Sequence, residues 1–383
     1  MASSGGHPNL YQGTRTHMAT AEDSAPAMTS ATGDEPSPAA SQTTSAGYTP
    51  RRWKWDSVIG LIVLVGAGIW ILLSFIESPR QFTQVLTIGL SNGALYALIA
   101  LGYTMVYGII ELINFAHGEL FMLGSVLGAI FLEEWIGQKS SSAVAWVWLA
   151  VTLVFAMAAC SLINVIIEKL AYRRLRNAPK LAPLITAVGV SFILQNVGIE
   201  LNGSAPNSRT SVLPQSAIEL GSINIRIKYV VVVLITIPLL LLMTYIVQKT
   251  RTGKAMRATA QDRDASLLMG INVDRVISYT FALGGALAGA AGVLFVQVNQ
   301  QTRYDAGFRL GLIAFTAAVI GGVGNLLGAV VGGVLIGVIQ GLNDGAPLFP
   351  GQQWTQTVMF GILIVMVIFR PGGIFGKHQQ EKV

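Results

Sequence analysis

The sequence has 383 residues, of which 52% are hydrophobic and 11% are charged, and its mean hydropathy is +0.58. Soluble domains carry about 25% charged residues, so this composition excludes an ordinary soluble protein and indicates a membrane protein. The formal net charge is +6, but the Lys and Arg residues lie in short loops between apolar runs. The positive-inside rule explains that placement, which argues against nucleic-acid binding.

The first fifty residues differ in composition from the rest of the chain. Residues 1–50 are rich in Ser, Thr, Ala, Gly and Pro and contain almost no large apolar side chains. Such a segment cannot bury enough apolar surface to offset the entropy lost on ordering, so we predict a disordered tail. A transmembrane domain is expected over 51–377, followed by a short cytoplasmic tail at 378–383.

Apolar runs long enough to cross a membrane recur through this domain. They lack the strict alternation of barrel strands, which predicts an all-α polytopic bundle of about 8–10 membrane segments. The predicted spans are 57–76, 85–110, 119–133, 143–167, 183–199, 229–247, 276–298 and 354–369. Glycines four residues apart, such as Gly89 and Gly93 or Gly333 and Gly337, predict close helix packing.

The Gly-rich segment 311–341 is long for one helix and short for two. We therefore expect a broken or re-entrant hairpin that turns near Gly321 to Gly328. Irregular backbone at membrane depth is tolerated only inside protein or beside a cavity, so this segment is a candidate for the pore lining. Basic loops at 169–180 and 248–275 are predicted to be cytoplasmic, and counting spans from them places the N-terminus in the cytoplasm.

Polar side chains interrupt the second span and the segment after it. Asn92, Tyr96, Tyr103 and Tyr107 share roughly one helix face, and Glu111 starts a polar cluster beyond them. Ionisable groups near a membrane usually face a bundle interior or a water-filled path, so the cluster is either a hydrogen-bond network at the cytoplasmic end or part of a gate. The candidate translocation residues are Asn92, Tyr96, Tyr103, Tyr107, Asn114, His117 and Glu119. No metal site is predicted, because one His with two carboxylates lacks the usual ligand set.

The segment 251–271 lies between two spans and is amphipathic. Its apolar stripe is predicted to consist of Met256, Ala260, Leu267, Leu268 and Ile271, opposite the polar Arg257, Gln261, Asp262, Arg263 and Asp264. Mixed charge argues against simple binding to anionic lipid, which leaves a partner's groove or the bilayer surface. The chain has no GxxxxGK[ST] loop, GxSxG, HExxH or paired Cys motif, so we expect neither enzymatic activity nor a cofactor.

Three segments of the chain carry a family resemblance. They are LGYTMVYGIIELINFAHGELFMLG at Leu101–Gly124, the stretch Arg251–Leu294 and AFTAAVIGGVGNLLGAVVGGVLIGVIQ at Ala314–Gln340. They resemble the LivH-type permease subunits of ABC importers for branched-chain, or hydrophobic, amino acids, and the resemblance runs from about Leu86 to Phe375. The INFAHGE motif favours the LivH-like member of the permease pair over its relative.

The resemblance implies an importer permease in the prokaryotic plasma (inner) membrane, surrounded by lipid and carrying branched-chain or other neutral amino acids. The implied partners are a second related permease, two ATP-binding cassette subunits that hydrolyse ATP, and an extracytoplasmic substrate-binding protein. It also implies that 251–271 is a coupling helix in a cleft of the ATPase, closed by Gly270. The candidate coupling residues are Arg257, Asp262, Asp264, Leu268 and Gly270.

Other functions remain open from the residues alone. The same machine could carry urea or short amides, since the quoted path residues are mostly uncharged. An ion-coupled secondary transporter or a channel acting alone would need acids at mid-span or half-helix ion sites repeated in both halves, whereas the visible acids cluster at helix ends. A mere membrane anchor would leave the polar face of the second span unexplained.

Overall fold

The computed structural model describes residues 68–69, 71–111, 114–136, 143–176, 178–179, 181–220, 223–346 and 349–376, all within one compact unit, Val58–Val383. The predicted tails at 1–50 and 378–383 and most of the predicted span 57–76 lie outside the described residues. Of that span, residues 68–69 and 71–76 are described, and they are helical.

The described chain is predominantly helical. The α-helices are α1 (Pro79–Ile110), α2 (His117–Ile136), α3 (Ala143–Ile167), α4 (Leu181–Asn202), α5 (Ile227–Lys249), α6 (Arg251–Gln261), α7 (Arg263–Leu268), α8 (Val273–Asn299), α9 (Ala306–Gly321), α10 (Leu326–Gly345) and α11 (Thr355–Phe369). A π-helical turn, Glu168–Tyr172, and a 3-10 turn, Arg173–Leu175, extend α3, and a second 3-10 turn, Gln352–Trp354, precedes α11. By length and composition, seven helical stretches of the described residues can cross a membrane, which confirms the predicted polytopic bundle.

Four short strands form two antiparallel pairs in the loops. β1 (Asn207–Ser208) pairs with β4 (Gln301–Thr302), which ties the end of α4 to the end of α8. β2 (Ala217–Leu220) pairs with β3 (Ile223–Arg226), immediately before α5. Both pairs belong to the polar loops at one end of the bundle.

The centre of the bundle consists of α1 and α8. In the most apolar window of each helix, 89% of the α1 residues and 83% of the α8 residues are buried, against 22% for α4 and for α5. The outer helices carry the exposed apolar side chains, among them Ile185, Phe192, Leu234 and Ile364. The outer helices therefore have the surface that lipid or another membrane subunit requires.

Small residues allow α1 and α10 to touch along their backbones. A Cβ on Gly89 would lie 2.9 Å from the Gly337 oxygen, and a Cβ on Gly333 would lie 2.5 Å from the Ala97 Cα. Helices in lipid associate through such close van der Waals contact, because apolar burial gives no drive between them. The close packing predicted from the glycine spacing is confirmed.

The Gly-rich segment is broken where the sequence predicts. α9 ends at Gly321, a turn follows, and Asn325 caps α10 by accepting a hydrogen bond of 3.1 Å from the Gly328 nitrogen. The segment after α11 covers this turn, since the Ile374 nitrogen donates to the Ile320 oxygen at 2.8 Å. The helical part starts earlier than the predicted 311, because α9 begins at Ala306.

Two helix pairs in the fold have the same local arrangement. α1 is followed by Glu111 and α8 by Gln300, both in the left-handed region with φ of 57° and 54°, and these are the two non-glycine residues with positive φ in the described part of the chain. In each case the next helix begins six residues after that residue, at His117 or at Ala306. The bundle therefore contains the same arrangement twice: a long helix, a sharp turn and a second helix that begins six residues after the turn residue.

Candidate functional site

The starts of α2 and α9 meet inside the bundle. Gly118 and Gly307 face each other so closely that a Cβ on either would collide with the backbone of the other. The position of these two helix starts deep in the bundle follows from Glu119, which accepts hydrogen bonds from Ser191 and Gln195 near the middle of α4. Two helix N-termini, each the positive end of a helix dipole, thus converge near the middle of the bundle.

Glu119 is the acid at this junction. Its side chain is fully buried, and Oε1 accepts hydrogen bonds from Ser191 Oγ at 3.0 Å and from Gln195 Nε2 at 2.8 Å. Oε2 lies against Gly307 at the N-terminus of α9 and has no hydrogen-bond partner among the described residues. The interpretation that the acids sit at helix ends therefore needs correction: Glu119 is at a helix end, but that end is deep in the bundle.

His117 lies beside Glu119 and faces α1. Its ring packs against Tyr103 with centroids 4.6 Å apart, and neither ring nitrogen makes a hydrogen bond of normal geometry within the described residues. Next to it is a cavity of about 10 Å³, the room that one water needs. The cavity is lined by Tyr103, Val106, Tyr107, Asn114, His117, Phe315, Ala318 and Val323. Four predicted path residues thus meet around a space that is too small for an amino acid.

Asn114 and Glu111 differ in their surroundings although the sequence groups them. Asn114 is buried, and its Oδ1 accepts from the Ala116 nitrogen at 3.1 Å and from the Tyr172 hydroxyl at 2.7 Å. It therefore shapes the turn before α2. Glu111 is exposed at the end of α1 and does not join the buried cluster.

Tyr96 and Asn92 lie nearer the start of α1 and do not line the cavity. Tyr96 is buried, and its hydroxyl donates to Gln340 Oε1 on α10 at 2.5 Å, while Asn92 is half-buried. Gln340 continues to Asp344 through a bond of 3.3 Å. Sequence reasoning missed both α10 residues; the available signal was two polar side chains four residues apart in an apolar, Gly-rich helix.

Arg309 is a third residue that the sequence reading missed. It lies on α9, its side chain is 47% exposed, and its closest carboxylate oxygen, Asp305 Oδ2, is 4.0 Å away. The available signal was a lone Arg inside an otherwise apolar stretch. Placing a guanidinium against lipid so near the helix junction would cost free energy, so the surface around Arg309 is expected to face water or protein.

The segment 251–271 folds as two short helices and not as one amphipathic stripe. Asp262 separates them and caps α7 by accepting from the Ala265 nitrogen at 3.0 Å. Met256 on α6 is buried, whereas Leu268 and Met269 are 88% and 82% exposed. The predicted stripe is therefore correct only in part: Met256, Ala260 and Ile271 pack against the bundle core, whereas Leu267 and Leu268 are exposed.

Gly270 ends this helical segment. Its φ is +77°, a conformation that costs glycine little, and the nitrogen of Ile271 donates back to the Ser266 oxygen at 3.0 Å. Leu267, Leu268 and Met269 form the apolar tip, a name used below for these three residues. The tip is held on a capped, well-defined turn.

Two arginines attach the segment to the bundle. Arg257 donates to the Val247 oxygen at the end of α5, and Arg263 Nη2 donates to the Ile109 oxygen at the end of α1 at 2.8 Å. Asp264 is exposed. A cleft of about 340 Å³ lies between α1, the loop after α3 and the junction of α6 and α7. Of the five candidate coupling residues, Arg257 and Asp262 therefore fix the shape of the segment, and Asp264, Leu268 and Gly270 are on its surface.

The junction of α2 and α9 bears on the alternative functions that the sequence leaves open. Repeated half-helices are what the secondary-transporter alternative predicts. Among the described residues, however, no group of three or more His, Cys, Asp or Glu side chains could hold a metal ion. Similarity to known proteins identifies the family.

The profile of the family described as "Branched-chain amino acid transport system / permease component" matches residues 85–368. The high-affinity branched-chain amino acid transport system permease protein BraD of Pseudomonas aeruginosa is 39% identical over 309 residues, covering 79% of this chain and 98% of that protein. The corresponding protein LivH of Escherichia coli is 37% identical over 311 residues, covering 80% and 99%.

A more distant similarity is local. The ribose import permease protein RbsC of Escherichia coli is 28% identical over 130 residues, or 32% of this chain. No solved structure matches the chain. The match to the family runs from within α1 to the last turn of α11, so this integral, multi-pass membrane protein belongs to the family of branched-chain amino acid transport system permeases.

Proposed function

We propose that this chain is the membrane-spanning permease subunit of an ABC importer for branched-chain or other neutral amino acids. Its named relatives are high-affinity branched-chain amino acid permeases, and they match nearly over their full length. In this proposal the chain works with a second related permease, two ATP-binding cassette subunits that hydrolyse ATP and an extracytoplasmic binding protein. It lies in the inner membrane with its N-terminus in the cytoplasm.

The apolar tip is the observation that supports transport driven by a separate ATPase. Leu268 and Met269 are almost fully exposed, yet they sit outside the membrane-spanning stretches, on a turn fixed by Asp262 and Gly270. An exposed apolar group on a rigid support is what a partner protein's pocket requires. A transporter or channel acting alone has no need for it.

The translocation path is proposed at the junction of α2 and α9. Tyr103, Tyr107, His117 and Asn114 surround the small cavity, and Glu119 with the two helix starts lies beside it. Motion of α1 relative to α9 would widen this cavity. The strained turns at Glu111 and Gln300 are the positions where two long helices end and the inward helices begin.

Uptake by proteoliposomes tests the proposal. Labelled leucine, alanine and urea are offered to vesicles that contain this chain with or without its partner permease, ATPases and binding protein. We expect ATP-dependent uptake of leucine only with all partners present. Uptake of urea in place of leucine would assign the amide substrate class, and ATP-independent flux by this chain alone would support a channel or secondary transporter.

A further inference from the structure

The cleft of about 340 Å³ beside the α6–α7 junction lies outside the proposed translocation path. The end of α1, the loop after α3, the start of α4 and the junction of α6 and α7 form its walls. Sites for small molecules enclose about 300–1,000 Å³, so the cleft has room for a metabolite. Its walls include parts of both basic loops, which the proposed topology places in the cytoplasm. A ligand of this cleft would therefore come from the cytoplasm.

Two opposite charges in the cleft wall are not paired with each other. Arg263 Nη2 donates to the Ile109 oxygen in the last turn of α1 at 2.8 Å, and the Arg263 guanidinium forms no ion pair within the described residues. Glu111 directly follows that turn, and its carboxylate has no ion pair in the described part of the chain either. The other acid of the wall, Asp262, is engaged as the cap of α7. A free cation and a free anion therefore lie at the same helix end, in one cleft.

Glu111 holds its carboxylate at the cleft in a strained backbone conformation. Its φ is 57°, and its nitrogen donates to the Tyr107 oxygen at 2.7 Å, which ends α1. Glycine adopts this conformation more easily than glutamate, and strained residues of this kind cluster at functional sites. The side chain is exposed and contributes nothing to the core. A binding role for the carboxylate would explain why an acid stands at this position.

Two buried polar atoms of the lining residues also lack a partner within the described residues. They are Thr259 Oγ1 and Arg176 Nε. The Nη atoms of Arg176 are already engaged, by Asp274 at 2.5 Å and by Glu168, so its charge is neutralised inside the protein. Buried polar groups are normally hydrogen-bonded, so two unpaired donors among the residues of one cleft favour a ligand that carries acceptor atoms.

The remaining wall of the cleft is largely apolar. Ile109 and Ile110 are buried at the end of α1, Pro183 is buried at the start of α4, and Ala178 and Ala260 are half-buried. An apolar side chain would lose its contact with water against these residues, which stabilises binding. The cleft thus combines an anion, a cation and an apolar wall.

We propose that this cleft binds a free neutral amino acid from the cytoplasm, with its α-ammonium on Glu111, its α-carboxylate on Arg263 and its side chain against Ile109 and Ile110. A carboxylate is a strong acceptor for an ammonium group, and a guanidinium matches a carboxylate. Arg263 has N–H donors left for the ligand, because a guanidinium has five and the bond to Ile109 uses one.

The bound amino acid would connect the end of α1 with the start of α7. It would therefore restrain motion between the helix that lines the proposed path and the segment that carries the apolar tip. The imported amino acid then inhibits its own uptake once it accumulates in the cytoplasm. This regulatory role rests on the proposed function, whereas the cleft and its charges do not.

The test measures initial uptake of labelled leucine by proteoliposomes that contain this chain, its partner permease and the ATPases, with the binding protein outside. ATP and graded concentrations of unlabelled leucine are enclosed in the lumen. We expect uptake and ATP hydrolysis to fall together as lumenal leucine rises; the parallel fall in hydrolysis separates inhibition from efflux. Leucine amide lacks the carboxylate and 4-methylpentanoate lacks the ammonium group, so each should need at least about tenfold more for the same inhibition.

Glu111→Gln removes the charge that is proposed to hold the ammonium group. Glutamine keeps the size of the side chain, and Gln300 already adopts the same left-handed conformation in this fold. Without lumenal leucine, uptake should stay within about twofold of wild type, while the leucine concentration for half-inhibition should rise about 10- to 100-fold. Inhibition by 4-methylpentanoate should not change. Glu134→Gln, at an exposed position outside the cleft, is the matched control and should behave like wild type.

Ala178→Phe provides a second, independent variant, because it fills the cleft without removing a charge. Relative to its own uptake without lumenal leucine, it should be inhibited less by leucine than wild type is. This variant decides the question if Glu111→Gln fails to assemble.

Three results would overturn the cleft site and leave the proposed function intact. One is wild-type uptake that does not respond to lumenal leucine; another is equal inhibition by leucine and both analogues. The third is half-inhibition at the same leucine concentration in wild type and both cleft variants, which would place the inhibition elsewhere. Absence of ATP-dependent leucine uptake from vesicles without lumenal leucine would instead overturn the proposed function, and the regulatory role with it.

Discussion

Arg263 Nη2 donates a hydrogen bond of 2.8 Å to the carbonyl oxygen of Ile109. Arg263 is the first residue of α7, which carries the apolar tip, and Ile109 lies in the last turn of α1, just beyond the cavity residues Tyr103 and Tyr107. One hydrogen bond thus connects the proposed ATPase contact with the helix that lines the proposed path.

Arg263→Ala should uncouple ATP hydrolysis from transport. The carbonyls in the last turn of a helix have no partner within the helix, so a charged donor there holds the end of α1 firmly, and such a bond contributes about 1.5–3 kcal/mol. We expect the ratio of leucine imported to ATP hydrolysed to fall about tenfold. Arg251→Ala is the control, since Arg251 is an exposed arginine of α6. An unchanged ratio in Arg263→Ala would remove this contact from the coupling route.

Leu268→Asp should weaken the association with the ATPase without affecting the bundle. The side chain is 88% exposed and contributes little to the core of this chain. Buried anchor residues of an interface contribute about 2 kcal/mol or more, so the affinity for the ATPase should fall roughly 30-fold. The measurement is titration of the purified ATPase onto reconstituted permease.

Ile218→Asp is the control for Leu268→Asp. Ile218 is 46% exposed on β2, in the loops that the proposed topology places on the other side of the membrane. The same chemical change there should leave ATPase affinity unchanged. If both variants bind the ATPase like wild type, the docking surface lies elsewhere.

Glu119→Gln should impair uptake more than it reduces the amount of protein. The change keeps the size of the side chain but removes the charge beside the start of α9, and its amide would face the donors of Ser191 and Gln195. Misplaced buried hydrogen bonds cost about 1–3 kcal/mol, and leucine uptake should fall at least about tenfold. Glu134→Gln, at an exposed position of α2, is the control. Normal uptake by Glu119→Gln would make Glu119 a packing residue only.

Gly337→Ala should destabilise the bundle. The added Cβ would collide with the backbone of Gly93, and neither α1 nor α10 can move away without losing its other contacts. Overpacking of this kind costs about 1–3 kcal/mol. The temperature at which half of the detergent-solubilised protein loses its monodisperse peak should fall.

The matched control for this substitution is Gly361→Ala on α11, where a Cβ meets no atom within 4 Å. Removing a glycine from a helix interior there should raise stability by up to about 1 kcal/mol. Opposite signs for the two variants are the expected outcome. A loss of similar size at Gly361 would show that general helix effects, and not the contact with Gly93, decide the result.

Local features of the fold could be predicted from the sequence because their causes are local. The apolar runs predicted the spans, and the glycines around Gly321 and Gly328 predicted the break between α9 and α10. The cap at Gly270 likewise follows from residues within one turn. Each of these depends on composition or spacing within a short stretch of chain.

Relationships between distant helices could not be predicted in this way. The Tyr96 hydroxyl meets Gln340, 244 residues later, because close backbone contact sets the register of α1 and α10. Glu119 looks like a residue at a membrane surface in sequence, since a polar turn precedes it. Its depth becomes apparent only from its bonds to Ser191 and Gln195 in α4.

Arg173 and Arg176 both bond to Asp274 but differ in burial. Arg176 is 12% exposed and also pairs with Glu168, which is fully buried and accepts from the Ser278 hydroxyl at 2.6 Å. Arg173 is 42% exposed, and its pair with Asp274 is open to solvent. The two side chains therefore carry the same charge in different dielectric surroundings.

Arg176→Ala should destabilise the protein by about 3–5 kcal/mol, because it leaves the Glu168 carboxylate buried without its cation. Arg173→Ala should cost about 0–1 kcal/mol, because water replaces an exposed partner. Thermal unfolding of the two variants in the same detergent measures the difference, and Glu168→Gln combined with Arg176→Ala should recover part of the loss by removing the buried charge. Equal losses in the two single variants would mean that Glu168 is hydrated when its partner is missing, and that the ion pair is not what stabilises the turn after α3.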